Sequence, residues 1–253
     1  MNPDGGEVLI GGNSNAPVRF GDRVHRIAGP WTPTVHALLR HLRSHGMTLV
    51  PEPFGFDEQG REVLAFLPGS VPAYPLPQVV WTDGFLVQAA AVLRRLHDAS
   101  VGFAPSDAVW QQPVREPAQV VSVNDFAPYN LVLDGDRISG VIDLDQASPG
   151  PRVRDVAHLA YRLVPLTAPA NKDGRATSAQ ERGRRLRLLA DAYGDLAPGS
   201  VLVAAVPLLD DIAAYAEAAG RPDHAALYRA DAAQLAADSA AVLRTAGTLD
   251  PVG

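Results

Sequence analysis

Asp125, Asn130 and Asp143 stand five and then thirteen residues apart within the stretch VNDFAPYNLVLDGDRISGVIDLDQ, residues 123–146. Strand-like runs, NLVL and SGVIDL, flank the turn DGDR, so the stretch reads as a hairpin. A hairpin brings its outer ends together, which places the loop carrying Asp125 and Asn130 beside Asp143. Two carboxylates and an amide oxygen at one point make a hard, oxygen-rich environment that suits Mg²⁺. Magnesium takes one or two protein carboxylates and leaves the rest of its shell to water and phosphate. A further aspartate is then available to accept a proton from an attacking hydroxyl. The same residues also fit a structural reading in which Asp125 caps a turn, Asn130 serves a loop and Asp143 closes a strand. Two features weigh against it. IDLD sets an acid directly after the apolar pair Val141–Ile142, and a glycine pair, Gly11–Gly12, lies upstream where bare backbone can approach phosphate.

The elements that must position these residues fall into two groups. EVLIGG, APVRFG and RVHRIAG read as short strands, with a turn at Gly21–Asp22. WTPTVHALLRHLRSHG has helical spacing at Val35, Leu38, Leu39 and Leu42, with Thr32 as N-cap, Pro33 in the first turn and Gly46 as the stop. FGFDEQGREVLAFLPG then predicts a hairpin turning near Gln59–Gly60. After the proline-rich linker LPGSVPAYPLP the character changes. A helix is predicted from about 82 to 99, then the hairpin, then helices over roughly 153–163, 178–194, 200–219 and 221–245, with 164–177 as a mobile loop. The pattern is α+β: a small strand-rich lobe followed by a larger, mainly helical one.

In order and in motif, NDFAPYNLVL…GVIDLDQASPGPRVRDVAHLAY resembles the catalytic stretch of the aminoglycoside phosphotransferase family, part of the protein-kinase-like superfamily. Asp125, Asn130, Ile142–Asp143 and Asp155–Val156–Ala157 fall on its motif positions. VLRRLHD resembles its LxxLH helix and LAFLPG its interlobe hinge. The resemblance implies a two-lobe kinase-like fold, with a nucleotide-binding lobe and hinge over 1–68 and a catalytic and substrate lobe over 69–253. It implies Asp125 as catalytic base and Asn130 and Asp143 as Mg²⁺ ligands. It also implies ATP between the lobes, with adenine against Ala65, Phe66 and Leu67 and the phosphates near Gly11–Gly12.

Some positions depart from the family pattern. Val123 stands where the family has a histidine that orients the catalytic loop. Arg26 replaces the phosphate-binding lysine, with different reach and geometry. The helix that should supply its glutamate partner offers Val35 and His36, so the usual pair is expected to be absent. His36 reads as a surface or core residue, and His97 and His158 as packing residues. Asp145 reads as a structural carboxylate or a second metal ligand, and Asp155 as a cap or brace. Asp210, Asp211, Glu217 and Asp223 lie where an acidic pocket would suit a cationic acceptor, but exposed helix acids are ordinary.

Composition sets the outer bounds. With 22 basic and 28 acidic residues the net charge is −6, and the short basic run ERGRRLR at 181–187 reads as a solvated helix face, so nucleic acid is not an expected partner. The absence of cysteine excludes disulfides, thiolate nucleophiles and cysteine zinc sites. No run reads as membrane-spanning and no signal peptide is recognised, so the expected location is cytoplasmic. The expected activity is ATP- and Mg²⁺-dependent phosphorylation of a hydroxyl on a small molecule, either an antibiotic, an aminosugar or a biosynthetic intermediate. The alternatives are a non-phosphorylating kinase-fold binding or immunity protein, and an enzyme reusing the cleft for other chemistry. Oligomeric state stays open.

Overall fold

The computed structural model describes residues 5–9, 17–169, 171 and 173–247. By internal packing the chain divides into residues 1–73 with 95–151, and residues 74–94 with 152–253.

In the first unit, strands β1 (Glu7–Val8), β2 (Val18–Phe20), β3 (Arg23–Arg26), β4 (Pro53–Phe56) and β5 (Glu62–Ala65) form an antiparallel sheet in the order β1-β2-β3-β5-β4. Consecutive strands pair where tight turns allow it. The β4–β5 turn falls at Asp57–Arg61 as predicted, with Gly60 at φ 74° and the Asp57 carboxylate accepting from the Gln59 and Arg61 amides. Helix α1 (Thr32–Ser44) buries Val35, Leu38, Leu39 and Leu42, the predicted stripe. Its N-cap is Trp31, not Thr32, whose hydroxyl instead accepts from the Gly29 amide at 2.9 Å. Glu62 and Leu64 are the buried positions of β5, so a carboxylate points inward from an otherwise apolar face.

The rest of this unit holds the hairpin β7 (Leu131–Asp134) and β8 (Arg137–Val141), turning at Gly135. It also holds a pair that the sequence reading did not foresee, β6 (Val120–Ser122) with β9 (Ser148–Gly150). The segment after β5 runs onto the hairpin, where Ser70 and Leu133 exchange backbone hydrogen bonds of 2.9 and 2.8 Å. Gly69 makes that approach possible. Its φ is 142°, and a Cβ there would stand 2.5 Å from the Leu133 carbonyl oxygen. Gly69→Ala is therefore expected to destabilise the protein by about 2–3 kcal/mol, read from the urea midpoint, because the obstacle is backbone and cannot rotate away.

The second unit is helical. Helix α2 (Asp83–Ser100) crosses the boundary, and α3 (Arg152–Leu163), α4 (Ala179–Tyr193), α5 (Pro198–Ala218) and α6 (Pro222–Gly247) pack together. Helix α5 lies against α3 and α6, burying Val201, Leu202, Ala205, Leu208, Leu209 and Ala213. One expectation is corrected here. With 21 residues and a mean hydropathy of 1.5, α5 passes the length and composition test for crossing a membrane. It also carries Asp210, Asp211 and Glu217, and its apolar stripe is covered by neighbouring helices. The loop expected to be mobile is tied to α6: the Ala168 amide and the Asn171 side chain both donate to Asp231 at 2.7 Å.

Candidate functional site

The residues singled out by spacing meet within the first unit. Beyond β6 the chain passes through buried Val123 and then Asn124, at φ 62°, before Asp125. A 3-10 turn, Pro128–Asn130, leads into β7 and returns Asn130 to Asp125. The Asn130 Nδ2 donates to the Asp125 backbone carbonyl at 2.9 Å and to its Oδ2 at 3.1 Å. The Tyr129 hydroxyl donates to Asp125 Oδ1 at 2.7 Å. Both carboxylate oxygens are thus held by local donors. On the hairpin's other side, the Ile142 amide donates to the Asn130 carbonyl at 2.9 Å, and the next residue is Asp143. Asp143 is at φ 60°, a left-handed backbone uncommon for a residue with a Cβ, and its side chain is 40% exposed.

Asn124 does what Val123 cannot. Its Nδ2 donates to the Gln146 carbonyl at 2.8 Å and to Ser148 Oγ at 2.9 Å. Ser148 also pairs with Ser122 across β6 and β9. The loop holding Asp125 is therefore fastened to the segment following Asp143 by an amide one residue after the expected histidine.

Arg26, at the end of β3, faces three carboxylates. Its Nε lies 2.5 Å from Glu62 Oε1, an ion pair without hydrogen-bond alignment. Its Nη2 lies 2.5 Å from Asp145 Oδ1, and its Nη1 is 3.3 Å from Asp143 Oδ1. Burial works to lower the Arg26 pKa, but Asp145, Glu62 and Asp143 outweigh it and hold it above its ordinary value. Burial pushes Asp145 upward; Asp143 and Glu62 add to this, and Arg26 opposes it. His36 Nε2 sits 3.0 Å from Glu62 Oε2.

These contacts correct the reading of Arg26. A cation–acid pair is present, but its acid comes from β5 instead of from the helix. Glu62 is the residue that sequence reasoning missed. The legible sign was an acid at an inward position of an alternating strand. Asp145 pairs with Arg26, and His36 is a buried partner of Glu62. His97 and His158 are buried, as expected of packing residues, and burial pushes His158 down to about 3. Asp211 and Glu217 are paired with Arg154 and Arg229.

Comparison with known proteins identifies the architecture. Residues 106–198 match the phosphotransferase enzyme family. Over 198 residues the chain is 35% identical to the trifolitoxin immunity protein of Rhizobium leguminosarum bv. trifolii, spanning 74% of this chain and 73% of that protein. The chain belongs to the aminoglycoside phosphotransferase family. Solved structures place this family member within the protein-kinase-like fold. Choline kinase from Cryptosporidium parvum Iowa II superposes with a TM-score of 0.62 at 12% identity, covering 98% of this chain and 94% of that one. The gentamicin complex of APH(2")-IIa gives 0.62 at 14%, covering 95% and 93%. Its streptomycin–ATP ternary complex gives 0.55 at 15%, covering 88% and 92%. At such identities the likeness speaks for the fold, and the expected α+β kinase-like class stands.

The other positions expected from the aminoglycoside phosphotransferase pattern are placed as follows. Gly11 and Gly12 lie outside the described residues. The Ala65 and Phe66 amides donate to the Glu52 and Asp22 carbonyls, both at 2.8 Å. The Phe66 ring lies 3.7 Å from the Arg19 guanidinium carbon, and Leu67 packs over Gly140. For magnesium, the donor chemistry fits. Asn130 makes its side-chain bonds to Asp125 through Nδ2, which leaves Oδ1 as the atom to offer a cation, and Asp143 is the half-exposed carboxylate beside it. One carboxylate with one amide oxygen is the kind of set Mg²⁺ uses when water and phosphate complete its shell.

Proposed function

We propose that this family member is a small-molecule kinase that uses ATP and Mg²⁺, with Asp125 as the base. The observation that carries this reading is the hydrogen-bonded chain from Asp125 through Asn130 and the Ile142 amide to Asp143, and on to Arg26. It joins a fixed carboxylate, an oxygen pair suited to a hard cation, and a guanidinium suited to phosphate. Asn130 and Asp143 would hold the Mg²⁺, which when bound supplies charge neutralisation for the phosphates. Asp125 orients the acceptor hydroxyl and receives its proton. The acceptor oxygen forms a bond to the γ-phosphorus, the bond from phosphorus to the bridging oxygen breaks, and ADP leaves with that electron pair. The protein contributes chiefly position and electrostatics.

Calorimetric titration with ATP, with and without Mg²⁺, tests this before any acceptor is known. Wild type should bind in a Mg²⁺-dependent manner, and Asp143→Ala should lose at least roughly tenfold in affinity, the scale of one charge-assisted contact. Failure of the wild type to bind at millimolar ATP would sink the assignment. A positive result justifies an acceptor panel of aminoglycosides, macrolides, choline and ethanolamine, the substrate classes named for the structural neighbours.

A second reading, a binding or immunity protein that does not transfer phosphate, is favoured by two observations. Arg26 rests on Asp143, the carboxylate that the metal needs, and a relative at 35% identity is an immunity protein. Such a protein would keep its ligand after both Asp125→Asn and Asp143→Ala.

A further inference from the structure

We infer that Glu62, with His36 behind it, is the positioning carboxylate of the phosphate-facing guanidinium, so that Arg26 is aligned by the sheet and not by helix α1. The inference rests on the nucleotide-binding reading above and concerns how its cation is held. Arg26 and Glu62 are direct cross-strand partners in the β3–β5 register. Their separation is therefore set by the strand ladder itself. Glu62 is fully buried, at 0% exposure, and cannot trade Arg26 for water.

The geometry also says which nitrogen is available. Nε is held by Glu62 and Nη2 by Asp145, each at 2.5 Å. Nη1 reaches Asp143 at 3.3 Å, on a side chain that is 40% exposed. Two sides of the planar group are clamped in the interior. The third rests lightly on the solvent-facing acid, so Nη1 is the atom to present to a phosphate oxygen. Helix α1 takes part only at one remove. His36 sits on Glu62 Oε2 at 3.0 Å and holds the carboxylate from behind. A displacement of α1 would remove that support but would leave the acid opposite the arginine.

The substitutions are well placed to test this. Losing the Glu62 charge still leaves Asp143 and Asp145 against Arg26, so the cluster keeps its net negative balance and Glu62→Gln should fold. Calorimetry with ATP and, separately, with adenosine reads the role. Glu62→Gln should weaken ATP by roughly 10–100-fold, the scale of losing one buried ion-pair partner, and leave adenosine within about twofold. In the Arg26→Ala background the same change should have no further effect. His36→Gln, which can still donate to Glu62, should retain ATP affinity, whereas His36→Ala should lose part of it. Wild-type ATP affinity in Glu62→Gln would overturn the inference, as would equal losses for ATP and adenosine or additivity with Arg26→Ala, both marks of a merely structural acid. A wild type that binds no ATP overturns the kinase reading and this inference together, which is a different result from a binding wild type with an inert Glu62.

Discussion

On the proposed kinase reading, Asp125→Asn is expected to reduce phosphoryl transfer by roughly 10²–10⁴-fold while leaving ATP affinity within about threefold, because it would remove the proposed proton acceptor and little else. The local geometry makes this substitution clean. Asp125 Oδ2 accepts from Asn130 Nδ2, and the introduced amide oxygen can do the same. Oδ1 accepts from the Tyr129 hydroxyl, which can rotate and accept from the introduced NH₂ group. Fold and metal-facing residues should therefore survive, and the loss should fall on kcat. Release of labelled phosphate from γ-labelled ATP, with water as the default acceptor, provides the measurement before the natural acceptor is found. Turnover within about fivefold of wild type would remove Asp125 from the role of base. A parallel loss of ATP binding would instead mark it as part of the nucleotide site.

What could be read in advance was what is local. The stripe Val35, Leu38, Leu39 and Leu42 announces α1, and the turn at Gly60 announces β4–β5, because each depends on neighbours within a few residues. The grouping of Asp125, Asn130 and Asp143 was legible for the same reason, since one hairpin brings them together. Glu62 escaped because its meaning depends on register between strands separated by the whole of α1 and β4. A search along the chain for a helix-borne partner could not see across that sheet. Asn124 escaped for a similar reason. Its role follows from the β6–β9 pairing, and strands of three residues leave almost no periodic trace. Neither the histidine expected at position 123 nor the helix glutamate is present; the adjacent Asn124 makes hydrogen bonds to Gln146 and Ser148, and Glu62 of β5 makes an ion pair with Arg26. In the first case the bond is carried one residue along the same loop, and in the second the acid comes from the sheet and not the helix. For that reason departure from a family motif is weak grounds for calling such a site inactive.

The second large effect lies in the helical unit and is independent of any ligand. Asp231→Ala is expected to destabilise the protein by about 3–5 kcal/mol, with a fall in Tm of about 10 °C, because it strips several buried donors of a single shared acceptor. Asp231 is fully buried in the middle of α6. Its Oδ2 accepts from the Tyr161 hydroxyl of α3 at 2.6 Å and from Asn171 Nδ2 at 2.7 Å, and its Oδ1 accepts from the Ala168 amide at 2.7 Å. Burial pushes the Tyr161 hydroxyl upward, and Asp231 reinforces this against the opposing charge of Arg162, so the phenol remains a donor across the working pH range. The carboxylate thus fastens α3, Ala168 and Asn171 to α6. In sequence it is one acid among alanines, with no motif or spacing that marks it. Asp231→Asn should cost about half as much, since one acceptor oxygen remains and both Tyr161 and Asn171 can reorient toward the introduced amide. Scanning calorimetry of the two variants decides the matter. An alanine variant within about 1 kcal/mol of wild type would mean that solvent or a rearranged loop satisfies these donors without Asp231, and the fastening role would be lost.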